Sequence, residues 1–212
     1  MDIEAFYFIL LCGTVIGSFL FTRADSHSAY KWNRWILLIT LVIEGLALYC
    51  FRNVGHNVFL YKAYMYLHWS GLLFIYVILF KRKNIKRFTW LAFITLWLMA
   101  IINFYYYGSK KLHIVTSIYG SFIIVVVTIF YMLQCYISER AKGAFQDAFL
   151  ISSIAYFLFY LVMLPYLGTI NVYENLRSYL SLDYNHLPKY LSIFLYSAIA
   201  FDYFYQWKTA KK

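Results

Sequence analysis

Charge is scarce in this chain. Asp, Glu, Lys and Arg make up 13% of its 212 residues, against about 25% in a soluble domain, while 63% of the residues are hydrophobic. That balance leaves too little polar sequence for a soluble catalytic domain. Acidic residues are the rarest class, 9 against 19 Lys and Arg, for a net charge of +10. Proline occurs twice, and there is neither a low-complexity segment nor a linker, so 1–212 reads as one domain. The three cysteines, Cys12, Cys50 and Cys135, include no close pair. This argues against a disulfide framework or a zinc site and for small apolar packing residues. HExxH, GxSxG and the phosphate-binding glycine loop are missing. Nothing in the sequence points to catalysis, a metal or a cofactor.

What the chain does have is seven long apolar runs, at 5–21, 35–51, 58–80, 88–107, 113–137, 148–167 and 190–207. A helix needs roughly 17–25 such residues to cross about 30 Å of hydrocarbon. The runs are continuous rather than alternating, which favours helices over a barrel. The expected fold is therefore all-α, an integral membrane bundle of seven transmembrane helices. Tyr (23), Phe (20) and Trp (6) suit the zone where helices meet lipid headgroups. Met1-Asp2-Ile3-Glu4 is acidic where a signal peptide carries positive charge, so the first run is expected to stay in the mature protein. Pro165 lies near the end of the sixth run, where it could kink a helix. Pro188 stands just before the seventh, where a helix can begin.

Lys and Arg set the expected orientation. Thirteen of the 19 fall on one side: Arg23, Lys31, Arg34, Lys81, Arg82, Lys83, Lys86, Arg87, Arg140, Lys142, Lys208, Lys211 and Lys212. The positive-inside rule makes that side cytoplasmic, with the N-terminus outside and the C-terminus inside. In a soluble protein this charge would suggest nucleic acid. Here the basic residues lie between apolar runs, so the bilayer and its anionic lipids are the expected partners and nucleic acid is not. The densest run, Lys81, Arg82, Lys83, Lys86 and Arg87, is also a candidate docking site for an acidic partner. The longest outer connection spans 168–189 and carries Tyr173, Glu174, Arg177, Tyr179, Asp183, Tyr184 and His186, residues able to cap the bundle or lie on the membrane surface.

Intramembrane polar residues are costly and so stand out. Glu44 lies near the middle of the second run, as a proton site, ligand contact or helix–helix hydrogen bond. His68 lies at a similar depth in the third. Tyr61, Tyr64, His68 and Gly71 follow i, i+3, i+7, i+10 spacing and share one helical face. At a shared depth Glu44 and His68 could form a pair able to respond to pH; the alternative, and the commoner arrangement, is a neutral His68 bonded to a tyrosine hydroxyl. Thr95, Met99 and Asn103 make a stripe on the fourth run. Ser153, Tyr156 and Tyr160 do so on the sixth, and Ser192, Tyr196 and Tyr203 on the seventh. Such stripes commonly hold helices together. Glu44, His68, Tyr61, Tyr64 and Asn103 are the candidate ligand or proton site. Asp202, close to the inner end of the last run, is expected to reach the interface or pair with basic loops. The last run has no central Lys for a retinal linkage. Only one deep His is present for haem, and no two acids share a depth.

An ordered set of short segments resembles the small seven-span inner-membrane proteins of Bacteroidota. It comprises Glu44, Asn57-Val58-Phe59-Leu60-Tyr61, the basic turn 81–87, Ile102-Asn103-Phe104, Tyr119-Gly120-Ser121 and Phe157-Leu158-Phe159-Tyr160. Those proteins are often encoded beside sensor histidine kinases or response regulators. They tend to carry an acid where this chain has His68. The resemblance implies a bacterial inner membrane and a non-catalytic sensory or accessory role. In that role the bundle binds a small or lipidic ligand or a partner helix and signals to a membrane or cytoplasmic partner. An ion-coupled transporter using Glu44 and His68, and a structural subunit of a larger membrane complex, are the alternatives.

Overall fold

The computed structural model describes residues 3–22, 27–54, 58–107, 114–139, 149–176 and 186–209. Within them are seven helices and no strand: α1 (Ile3–Phe21), α2 (Ser28–Val54), α3 (Val58–Leu79), α4 (Lys83–Tyr107), α5 (Ile114–Glu139), α6 (Leu150–Leu176) and α7 (Leu187–Thr209). Six of these, all but α7, are long and apolar enough to cross a membrane. The all-α, membrane-type architecture follows from the seven apolar runs, the described part of each lying in one helix to within a residue.

The helix ends differ from the sequence reading in instructive ways. α2 starts at Ser28, not at 35, because its polar first turns still carry the interior stripe. Tyr30, Asn33, Leu37, Thr40, Glu44 and Ala47 recur at alternating steps of three and four, and all but the part-buried Glu44 are buried. That spacing keeps one face turned inward. Lys31 and Arg34 therefore ride on a helix, with the Arg34 guanidinium 5.1 Å from the Phe19 ring centroid and 5.8 Å from that of Trp35. α6 continues through Pro165 to Leu176, so the first part of the long outer connection, 168–176, is helix. Thr169 Oγ1 bonds back to the Pro165 carbonyl at 2.9 Å in that stretch. Arg177, Tyr179, Asp183 and Tyr184 lie outside the described residues, as do the side chains of Tyr173 and Glu174. Pro188 is the second residue of α7, where its missing N–H is no loss.

Six helices close into a ring in the order α1, α2, α3, α5, α6, α7, with α7 returning to α1. α4 lies outside the ring, packed on α3 and α5. Its outer surface is apolar, with Leu91, Ile94, Leu98 and Ile101 each more than half exposed, as a lipid-facing helix requires. The end of the bundle where α1, α3, α5 and α7 begin is called proximal below, and the opposite end distal. Ring neighbours α3 and α5 run parallel, since Ser117 meets Met65 and Thr128 meets Tyr76 in step along both helices. α1 and α7 also run parallel. Lys189 and Glu4, near their starts, form an ion pair, and Thr14 Oγ1 lies 3.3 Å from the Tyr196 carbonyl further along.

Candidate functional site

The interior stripe of α2 carries Glu44 to a point ten residues before Val54, and α3 places His68 ten residues after Val58. Both lie about 15 Å from the turn joining the two helices, so they share a depth as the sequence suggests. They do not bond to each other. Each Glu44 oxygen instead accepts from one tyrosine: Oε1 from Tyr7 of α1 at 3.0 Å, and Oε2 from Tyr61 of α3 at 3.2 Å. One turn further along α3, the Tyr64 hydroxyl meets His68 Nδ1 at 3.2 Å, with Thr40 Oγ1 at 3.5 Å from the same hydroxyl. The buried His68 ring packs against Tyr156 and Tyr160 of α6, with centroids 6.0 and 6.2 Å away.

Tyr7, Glu44, Tyr61, Tyr64, His68 and Tyr160 line a cavity of about 600 Å³ enclosed by the ring. Every ring helix contributes and α4 does not. Tyr7 comes from α1, Glu44 from α2, and Tyr61, Tyr64, His68 and Trp69 from α3. Ser121 comes from α5, Phe159 and Tyr160 from α6, and Ser192 and Tyr196 from α7. From Tyr61 to Trp69 on α3, or from Pro188 to Tyr196 on α7, the lining spans eight helical steps, a depth of about 12 Å. All of this lies in the proximal half. A Cβ on Gly120 would stand 2.6 Å from the Trp69 ring, so the missing side chain on α5 is what seats the indole in the cavity wall. Gly71, the fourth member of the α3 stripe, has another use. A Cβ there would meet Ile36 Cδ1 at 2.7 Å, and its absence lets α2 and α3 approach closely.

Asn103 is not brought to this cavity. It lies on α4 outside the ring and its amide bonds Thr116 of α5. Thr95 of the same stripe meets the Tyr119 hydroxyl at 2.6 Å. The stripe fastens α4 to α5, which is the usual task of small polar residues between membrane helices. Tyr7 is the residue that sequence reasoning missed. It lies near the start of α1, and its hydroxyl reaches the Glu44 carboxylate.

The distal half is packed and holds a second carboxylate. Asp202 of α7 is completely buried, neither at the interface nor paired with basic loops. Its Oδ1 accepts from the Tyr30 hydroxyl at 2.9 Å, and Oδ2 accepts from the Ser152 N–H at 3.0 Å and its hydroxyl at 2.5 Å. Ser152 is in the first turn of α6, so Asp202 caps that helix from another one, where the helix dipole favours negative charge. Tyr30 also accepts from the Phe149 N–H at 2.8 Å, and its carbonyl accepts from the Tyr203 hydroxyl at 2.9 Å. Phe149 has φ of 79°, a costly conformation for a bulky residue, held by that bond and by full burial of its ring. Among the described residues the hydrogen-bond partners of Asp202 are Tyr30 and Ser152 and not a basic side chain, because α2 starts early and brings Tyr30 to it.

The basic run lies at the distal end. Lys81 and Arg82 follow α3, and Lys83, Lys86 and Arg87 occupy the first turns of α4. Gln134 of α5 fixes the corner, accepting from the Lys81 N–H at 2.9 Å and donating to the Leu79 carbonyl at 3.1 Å. Cations in a first helical turn oppose the helix dipole by a few tenths of a kcal/mol each, so local helix stability does not explain them. Among the described residues no three His, Cys, Asp or Glu are grouped to hold a metal. No known family model matches the chain, and neither a curated protein nor a solved structure matches it.

Proposed function

We propose that this chain is a non-catalytic seven-span protein of a bacterial inner membrane, with its N-terminus outside and its C-terminus cytoplasmic. It binds a small or lipidic ligand in the ring cavity and passes the occupied state to a membrane or cytoplasmic partner at the basic run 81–87. The observation that carries this reading is the cavity itself, built by six helices around Glu44 and confined to one half of the bundle. A volume of about 600 Å³ falls in the range of small-molecule sites, about 300–1,000 Å³. Confinement to one half favours binding over carriage, since the opposite half is filled by Tyr30, Tyr76, Phe149, Tyr156 and Tyr203. α7 counts as the seventh span because it packs between α1 and α6 along an interior stripe of Leu195, Tyr196, Ile199, Asp202 and Tyr203. The sensory part of the reading rests on the resemblance to the Bacteroidota proteins, and the orientation on the excess of Lys and Arg at the distal side.

Native mass spectrometry of the full chain, released from nanodiscs made with native lipid, tests the binding. The wild type is expected to retain a small molecule or lipid, and Ser121→Phe, which fills the cavity, to lose it. Identical bound masses from both proteins would sink the reading. A reporter fused after Lys212 is expected to score as cytoplasmic, and a periplasmic signal there would overturn the seven-span topology.

A further inference from the structure

The chemistry of the cavity wall narrows the ligand. Among the described residues that line the cavity, Glu44 is the one carboxyl group, and Lys and Arg are absent from them. An ionised carboxylate offers about four acceptor positions, and the two tyrosines take one on each oxygen. Their hydroxyls satisfy hydrogen bonds but bring no opposing charge, and a buried charge is costly until one is supplied. Lys189 is the cation beside the lining on α7. It lies one residue beyond Pro188 of the lining, outside the cavity, and is bonded to Glu4. The remaining wall includes six aromatic side chains, Tyr64, Trp69, Phe159, Tyr160, Tyr166 and Tyr196. Aromatic faces are electron-rich and attract cations. Met65 and Met163 also line it, with polarizable thioethers that fit varied apolar shapes.

We propose that the cavity takes an organic ammonium ion with an apolar body, its charge against Glu44 and its body among the aromatic rings. The proposal rests on the reading that the cavity binds a ligand, and it adds the sign of that ligand's charge. An anionic ligand would meet Glu44 with like charge and the aromatic faces with the wrong polarity. A neutral ligand would fill the volume but leave the carboxylate unpaired. A bare metal ion would find one carboxylate and one histidine on separate tyrosines, too few ligands for a closed site. An ammonium ion attached to an apolar body uses both features of the wall at once.

The test is calorimetric titration of the full chain in zwitterionic nanodiscs, with empty nanodiscs as the blank for partitioning. Three ligands share one body: 4-phenylbutylammonium, 4-phenylbutanol and 4-phenylbutyrate. The ammonium is expected to bind about tenfold more tightly than the alcohol, and the carboxylate more weakly than either. Glu44→Gln, which keeps an acceptor for the tyrosines, is expected to bring the ammonium to the level of the alcohol and leave the alcohol unchanged. Alcohol binding as tight as ammonium binding, and lost in Ser121→Phe, overturns the ammonium assignment while the ligand cavity stands. Heats equal to the blank for all three ligands overturn both. Because the wild-type series alone decides the sign of the charge, the proposal does not depend on the folding of any variant.

Discussion

At the distal end Asp202 is completely buried and takes three hydrogen bonds at 2.5–3.0 Å. At the proximal end Glu44 takes two, at 3.0 and 3.2 Å, and faces a cavity of about 600 Å³. The two carboxylates sit in the same ring of helices and are equally unusual in sequence. Their surroundings separate them. Asp202 receives a backbone N–H and two hydroxyls and has no room beside it, so its capacity is used in holding α6, α2 and α7 together. Glu44 retains capacity and adjoins space. An intramembrane acid is a structural element when its donors close around it and a site when they leave one side open.

Breaking the distal cluster should have the largest effect. Asp202→Ala removes the acceptor of Tyr30 and of both Ser152 donors at once. The buried groups left unpaired are expected to destabilise the protein by about 3 kcal/mol or more, read as a shift of the unfolding midpoint in an SDS titration from mixed micelles. Asp202→Asn, which keeps one acceptor oxygen, should recover part of the loss. A change below about 0.5 kcal/mol in Asp202→Ala would mean that the distal end is not the structural half.

A smaller loss is expected at the wall between the halves. Gly120→Ala places a methyl group 2.6 Å from the Trp69 ring and should cost about 1–3 kcal/mol through overpacking. It should also alter the fluorescence of the cavity indole. Gly45→Ala is the control, since a Cβ there meets nothing within 4 Å. That substitution should be neutral or slightly stabilising, because alanine is the better helix former. Equal stability of the two variants would show that the indole is not held as described.

The smallest effect belongs to Asn103→Ala. The bond to Thr116 joins two membrane helices, and such bonds average about 0.6 kcal/mol. The variant should lose about that much in the same titration and keep the affinity of the cavity unchanged. A clear loss of ligand affinity would place α4 in the site after all.

The sequence allowed the helices to be read because hydrocarbon imposes a length on each span, and the apolar runs show that length directly. Glu44, Tyr61, Tyr64 and His68 were legible as a group for a related reason. Alternating direction puts equal depths side by side, and an acid at mid-depth attracts attention. Tyr7 was not legible, because one tyrosine among 23 carries no signal until its neighbours are known. Asn103 was assigned to the site because its polarity resembles that of His68. Only the placement of α4 outside the ring separates the two, and no periodicity within a single run records which helices become neighbours. Asp202 escaped for a similar reason. Its partners Tyr30 and Ser152 come from helices distant in sequence, one of them extended past its apolar run by an interior stripe hidden among polar residues.

The ring closes between the first and the last helix, and this has a bearing on how the protein is made. α1 and α7 can meet only once α7 has been synthesised, so a nascent chain that stops at α6 holds an open arc. With 23 residues α7 is long enough to cross a membrane, but among the described helices it is the one that is not apolar enough to count as a span by composition. The groove left between α1 and α6 receives it, offering Thr14 to its backbone and Tyr30 and Ser152 to Asp202. α7 thus takes its place in the ring through polar contacts that its neighbours supply.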